Sequence, residues 1–368
     1  MTPSTKDVLK AALSALHYSG AARALAPFAR GAGAIFMMHH VRPEPRQAFE
    51  PNGMLAITPD FLDATVREVE AAGFDIVSLD EAHARLSGVQ RARRPFACFT
   101  FDDGYRDNRD HALPVLRRHG VPLTIYAASD FADGRGVLWW LVLERIVRMQ
   151  RVLHMCLDGV ARTFHCATIE DKNATFDALY WWLRNQPEQQ ARDLVEQLAR
   201  EASIDVLAPC RELVMTWDEL REIASDPLVT IGAHSVGHFA LAKLETAEAR
   251  SQMALSVERI ERELGTPCRH FCYPYGNAAS AAEREFELAA GLGLATAVTT
   301  RKGFVAGGHG ARLTALPRVS LNGDYQTLPC LKALLSGVPF ALWNALASVN
   351  GDRAPAAAVS RALARQPA

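Results

Sequence analysis

Two aspartates, Asp102 and Asp103, close the apolar run FACFTF, and two histidines four positions apart, His234 and His238, follow the apolar run LVTIGA. Two imidazoles and one carboxylate form a ligand set suited to zinc, iron or cobalt, with one coordination position left for water. On a helix, His-x-x-x-His would match the zincin spacing, but Ser235 stands where a zincin has its glutamate base. The paired aspartates offer a replacement. Adjacent carboxylates repel each other and need a positive partner, while consecutive side chains of an extended segment point in different directions. One aspartate can therefore hold a cation while its neighbour takes the proton of a water that the cation acidifies. Each motif alone has an ordinary reading, a solvated turn for Asp-Asp-Gly and capping residues for the histidines. Their shared position directly after apolar strands is what separates them from that reading.

The elements that must position these residues alternate along the chain. AIFMMHH, from Ala34 to His40, reads as a buried strand ending in two histidines. Thr58 and Pro59 start a helix whose apolar face is Phe61, Leu62, Thr65, Val66 and Val69, and Gly73 ends it. Strand FDIVSL follows, with Ser78 and Glu81 as a capping box for the next helix. Strands FACFTF, VPLTIYAAS, LVTIGA, HFCYP, LATAVTT and ALPRVS continue the series, separated by helical stretches. A second capping box is expected at Thr216 and Glu219. Strands alternating with helices imply a parallel sheet, and their number favours an α/β barrel of seven or eight strands over an open sheet. In such barrels, groups at the carboxyl ends of strands share one mouth. Asp102, Asp103, His234, His238 and Tyr275 would meet there, with His39 and His40 at the same rim.

Residues 131–210 break the alternation. The segments WWLVLERIV and FDALYWWLRN read as helices, and LHMCLDGVARTFHC between them as a hairpin about Asp158-Gly159. The expected organisation is an N-terminal helical arm (1–30), a first barrel part (31–130), a mostly helical insertion (131–210), a second barrel part (211–320) and a C-terminal helical tail (321–368). The tryptophans of the insertion are expected to pack in its core rather than to bind ligand. The tail's apolar stretch LKALLSGVPFALWNALASV is expected to dock on the domain, with a membrane surface as the alternative, and 354–368 to fray.

TFDDGYRDN (Thr100–Asn108), HSVGH (His234–His238) and FCYPYG (Phe271–Gly276) resemble, in order and placement, the first three motifs of the NodB-type polysaccharide deacetylases, carbohydrate esterase family 4. The resemblance implies a distorted (β/α) barrel of NodB-homology type. It implies Asp102 as general base, Asp103, His234 and His238 as ligands of a divalent metal (zinc first, then iron, cobalt or nickel), and hydrolysis of the acetamido group of N-acetylglucosamine-type sugars. The oxyanion would be held by the metal and by the backbone N–H of Tyr275, and Tyr273 and Tyr275 would contact substrate. Two departures from the family pattern stand out. The arginine that pairs with the catalytic aspartate is replaced by Cys272, for which Arg318 is the expected substitute and Arg269 the second choice. The late histidine acid is missing from Leu313–Val319, and by similarity to a related branch His39 is expected to protonate the leaving amine, with His40 as fallback.

Composition bounds the alternatives. A net charge of −1 in 368 residues gives no general attraction to nucleic acid or anionic lipid. Seven scattered cysteines without a Cys-x-x-Cys pair suit a reducing compartment, so a cytoplasmic protein, at most peripheral to the membrane's inner face, is expected. The expected partner is a carbohydrate, a chitooligosaccharide first. A lipid- or nucleotide-linked sugar, an O-acetyl ester and a catalytically silent sugar-binding protein are the competing readings, and the sequence leaves the oligomeric state open.

Overall fold

The structure, a computed structural model, describes residues 5–91, 93–306, 310 and 312–349, so the expected fraying of 354–368 lies outside the described residues. Seven strands form the centre: β1 Gly33–Met38, β2 Phe96–Phe101, β3 Leu123–Ala127, β4 Val229–Ala233, β5 His270–Cys272, β6 Thr296–Lys302 and β7 Leu316–Ser320. Each pairs in parallel with its neighbours in chain order, and β1 pairs with both β2 and β7, closing the ring. The sequence allowed seven or eight strands, and the barrel has seven.

Period-two alternation divides each strand between two cores. Ile35, Phe96, Cys98, Tyr126, Cys272, Val298 and Leu316 form one cluster, the filling of the barrel. Ala34, Phe36, Ala97, Phe99, Ile125 and Ala297 belong to a second, shared with the surrounding helices. Both strand faces are thus buried, which is why FACFTF reads as a continuous apolar run. The filling is tight at Gly232, where an added Cβ would stand 2.6 Å from the Tyr126 ring. Continuing the same alternation carries Thr100 and Asp102 above Cys98, and Arg318 above Leu316, into the barrel mouth.

Two local expectations need correction. FDIVSL pairs only at Asp75–Ile76, against Phe96 and Ala97, because β3 takes over that edge of β2 from Phe99 onward. Ser78 accepts from the Glu81 N–H, but the Glu81 carboxylate is taken by Arg85, so the second half of that capping box does not form. The box at Thr216 and Glu219 is complete.

The insertion has its own core. Helices Trp139–Met149, Ile169–Asn185 and Glu188–Glu201 pack with the hairpin Val152–Leu157/Val160–His165 around Leu143, Ile146, Phe176, Leu179, Leu183 and Val195. Helix Leu328–Leu335 packs on Thr5–Tyr18 and on the helix Pro59–Ala71, so the tail docks on the domain there. In the following helix, Val338–Val349, Val338 and Phe340 are buried whereas Leu342 and Trp343 are exposed. Among the described residues no helix is long and apolar enough to cross a membrane.

Glu219 joins the end of the insertion to the first aspartate loop. Besides capping Thr216, it accepts from Arg106 at 2.8 and 3.1 Å and from Arg109 at 2.7 Å. Burial raises its pKa, but the Arg106 hydrogen bonds, the Thr216 N–H and the charges of Arg106 and Arg109 outweigh that and bring it from 4.5 down to about 2. The folded state therefore holds this proton less tightly than the unfolded chain does. Its stabilisation is complete above pH 4.5 and is lost as pH falls toward 2. Glu219→Gln is expected to cost about 1–2 kcal/mol at neutral pH, given the group's partial solvent contact. In urea unfolding, the gap between variant and wild type should close as pH falls through that window; a gap of constant size would mean the pairing contributes nothing.

Candidate active site

The mouth of the barrel brings Asp102, Asp103, His234, His238 and Tyr275 to one cleft of about 230 Å³, with His39 on its wall. Asp103, the second residue beyond β2, takes a left-handed conformation (φ 70°), which turns it away from the direction of Asp102. Ser235, His238 and Tyr275 are also left-handed, at 62°, 57° and 61°. Of the six non-glycine residues with positive φ among the described residues, three line this cleft and a fourth, Ser235, is buried between its two histidines; such backbone conformations cluster at functional sites. The Ser235 hydroxyl accepts from the His238 N–H at 3.0 Å and fixes the His-Ser-Val-Gly-His loop, which is not helical.

Asp103 Oδ1 lies 3.3 Å from His234 Nε2 and 3.2 Å from His238 Nε2, all three groups buried. His234 Nδ1 is 2.7 Å from the Cys272 carbonyl, which can only accept, so Nδ1 carries a proton and Nε2 is the atom that faces Asp103. Burial lowers the His234 pKa, but the Cys272 and Asp103 contacts outweigh it and hold it well above its usual value, so without a cation Nε2 keeps a proton toward Asp103. Burial holds His238 down to about 4 against the pull of Asp103, leaving it neutral at pH 7. Burial raises the Asp103 pKa, but His234 and His238 outweigh it and hold the group well below the usual carboxylate range. Asp103 Oδ1 has no hydrogen-bond partner although it is fully buried. Two imidazole Nε2 atoms converging on this buried carboxylate oxygen make a three-residue ligand set for a divalent cation, whose charge would take the place of the proton between them.

Asp102 stands beside this triad with its own partner. Arg318 Nη1 and Nη2 donate to Asp102 Oδ1 and Oδ2 at 2.7 Å each, and the same guanidinium donates to Thr299 O, to Thr100 Oγ1 and, at 3.1 Å, to Cys272 Sγ. The Arg318 side chain has no solvent exposure. Burial raises the Asp102 pKa, but the charge and hydrogen bonds of Arg318 prevail and keep it lowered, so Asp102 is ionised at neutral pH. The small Cys272 leaves the space that the Arg318 head fills. Arg269, the second choice, is outside the mouth, paired with Asp80 at 2.6 Å on the surface.

His39 Nε2 is 3.9 Å from Asp102 Oδ2. Burial lowers its pKa more than Asp102 and Asp103 raise it, so its resting form is neutral. Asn108 holds the His39 carbonyl at 2.7 Å. His40 does not line the cleft: its Nδ1 is 2.7 Å from Asp107 and its ring stacks on Tyr105 at 3.6 Å, which removes it as a fallback proton donor. Tyr273 is a second correction. It is fully buried, with its hydroxyl on the Thr314 carbonyl at 2.8 Å, because alternation along this segment sends its side chain to the outer core. Tyr275 does line the cleft. Its hydroxyl accepts from Trp139 at 2.7 Å, Arg184 lies over its ring at 3.6 Å, and its carbonyl takes the Thr300 hydroxyl at 2.6 Å. No acceptor among the described residues takes its backbone N–H.

Sequence reasoning missed part of the wall: Asn52 from the loop after β1, and Trp140, Tyr180, Trp181 and Arg184 from the insertion. Asn52 carries no signal in sequence. The spacing of Tyr180, Trp181 and Arg184 marks one side of a helix, and that signal was there to be read.

Comparisons with known proteins bear on the family and the fold. A family model described as polysaccharide deacetylase matches residues 90–296, more than half of the chain. A curated relative, YxkH of Bacillus subtilis strain 168, is 22% identical over 124 residues, a stretch that spans 32% of this chain and 44% of that protein. Among solved structures, the Streptococcus pyogenes deacetylase PplD in complex with acetate has a TM-score of 0.52 at 16% identity, covering 79% of this chain and 92% of that one. IcaB from Ammonifex degensii gives 0.51 at 16% (83% and 98%), and a de-N-acetylase from Aggregatibacter actinomycetemcomitans 0.51 at 15% (82% and 98%). At these identities the likeness to solved structures concerns the fold.

Proposed function

The chain belongs to the polysaccharide deacetylase family, and from that premise we propose that it hydrolyses the N-acetyl group of an N-acetylglucosamine-type oligosaccharide, with a divalent cation, zinc first, held by Asp103, His234 and His238. The observation that carries this reading is an ionised Asp102 beside the triad yet not part of it, with both its oxygens held by Arg318. The cation, when bound, supplies the Lewis acid that acidifies the attacking water and draws charge onto the amide oxygen.

The remaining steps fall to the chain's own groups. Asp102 receives the proton of the water as its oxygen bonds to the acetyl carbon. The free N–H of Tyr275 donates to the oxygen that becomes negative, on a backbone fixed in advance by the Thr300 contact. The proton passes from Asp102 to neutral His39, 3.9 Å away, and from there to the amine nitrogen as the C–N bond breaks. Acetate and a free amine leave. A reducing compartment is part of the proposal, supported by seven free cysteines.

The test is acetate release from tetra-N-acetylchitotetraose by protein loaded with zinc, cobalt, nickel or iron in turn, with loss on chelation; no acetate with any of the four would overturn the proposal. In the same assay His39→Ala, with its metal retained, is expected to lower kcat by about 10²-fold, the lower end of what proton transfer contributes. A loss of under about threefold, less than 1 kcal/mol of barrier, would remove His39 from the reaction.

A further inference from the structure

We propose that the insertion is the substrate-recognition wall of the cleft, and that Trp181 is a stacking platform for a sugar ring adjacent to the one being deacetylated, so that the protein binds N-acetylhexosamine oligomers rather than single sugars. This rests on the deacetylase reading for the chemical class of the ligand. Helix Ile169–Asn185 divides its side chains three ways. Phe176, Leu179 and Leu183 are buried in the insertion core, and Trp182 donates to Asp158 at 2.9 Å in the hairpin turn. Tyr180, Trp181 and Arg184 go to the cleft.

Of these three, Trp181 alone is largely solvent-exposed, at 52%. It is held by its neighbours: Tyr180 packs edge-on against it at 5.3 Å, and Tyr180 in turn stacks on Phe176 and packs on Trp139, which donates to Tyr275. An indole kept half in water on a rigid aromatic support suits the apolar face of a pyranose, at little cost in side-chain ordering. The helix is also fastened to the catalytic loop, since Arg184 lies over the Tyr275 ring and donates to Ser280 at 2.9 Å. The platform therefore keeps a fixed distance from the reacting groups. The cleft itself, about 230 Å³, is smaller than the roughly 300–1,000 Å³ that encloses a whole drug-sized ligand. A longer glycan must extend past its rim, where Trp181 stands.

The test is isothermal titration of chelated protein, which binds without turnover, using tetra-N-acetylchitotetraose. Wild type should bind saturably, Trp181→Phe should stay within about threefold of its Kd, and Trp181→Ala should weaken binding by about tenfold or more with unchanged thermal unfolding. No saturable binding by wild type, or a Trp181→Ala Kd within about twofold of it, would overturn the inference. Because chelated protein makes no acetate, Trp181-dependent binding without later turnover would count against the reaction alone. Acetate release without Trp181-dependent binding would count against the platform alone.

Discussion

Asp102→Asn is expected to abolish most of the deacetylation, by about 10²–10⁴-fold in kcat, while leaving the metal content of the protein unchanged. The amide is nearly isosteric but cannot accept the proton of the attacking water, and it leaves the buried Arg318 guanidinium without a counter-charge. A stability loss of about 3–5 kcal/mol accompanies the substitution, so turnover is compared well below the variant's unfolding transition. The proposed cation ligands are separate side chains, and Asp103 keeps its 3.3 and 3.2 Å contacts with His234 and His238. Loss of turnover with full metal occupancy, measured by elemental analysis beside the acetate assay, would be the signature of a base rather than of a ligand. Residual activity within tenfold of wild type would mean that the proton goes elsewhere. Loss of the metal together with activity would mean that Asp102 ligates, a possibility the nearness of His234 and Cys272 to it makes worth measuring.

The second large effect is on folding. Arg318→Met removes the one guanidinium that faces Asp102 and strands a carboxylate that is 2% exposed. Breaking a buried pair from one side costs about 3–5 kcal/mol, because the remaining charge has lost its partner. Arg318→Lys should recover little of it, since a single ammonium cannot reproduce two parallel 2.7 Å contacts. The geometry also predicts a rescue. Cys272 Sγ is 3.1 Å from the Arg318 head, on the neighbouring wall of the barrel. Cys272→Arg in the Arg318→Met background sends a guanidinium into the space left empty and should restore at least half of the lost stability. Denaturant unfolding of the two single variants and the double variant gives the coupling directly. Additive costs in the double variant would show that the two positions do not exchange the role.

Much of this arrangement is legible in the chain because barrel geometry turns sequence adjacency into spatial convergence. Each polar motif directly follows an apolar run, and a parallel barrel has only one carboxyl end at which such motifs can meet. The caps at Thr58 and Thr216 are similarly readable, since they depend on three or four consecutive residues. What the sequence hides is any contact between distant segments that lacks a periodic signature. Glu219 reads as a capping residue, yet it also clamps Arg106 and Arg109, more than a hundred positions away. Tyr273 reads as a cleft aromatic because it lies between two residues of a motif, but one step along a strand reverses the face. The short pairing at Asp75–Ile76 has a competitive cause that no local rule contains: two strands share one edge of β2.

The four left-handed residues around the cleft carry a consequence for anyone who alters this protein. Each such conformation costs on the order of 1–3 kcal/mol for a residue with a side chain, and Asp103, Ser235, His238 and Tyr275 all adopt it. Selection for thermal tolerance alone would therefore drift toward glycine or asparagine at these positions, relaxing the main chain while erasing a proposed ligand, the Ser235 hydroxyl that fixes the histidine loop, or an aromatic contact. Libraries screened for heat resistance should gain melting temperature here and lose turnover in the same clones. This barrel would be easier to fold without its mouth.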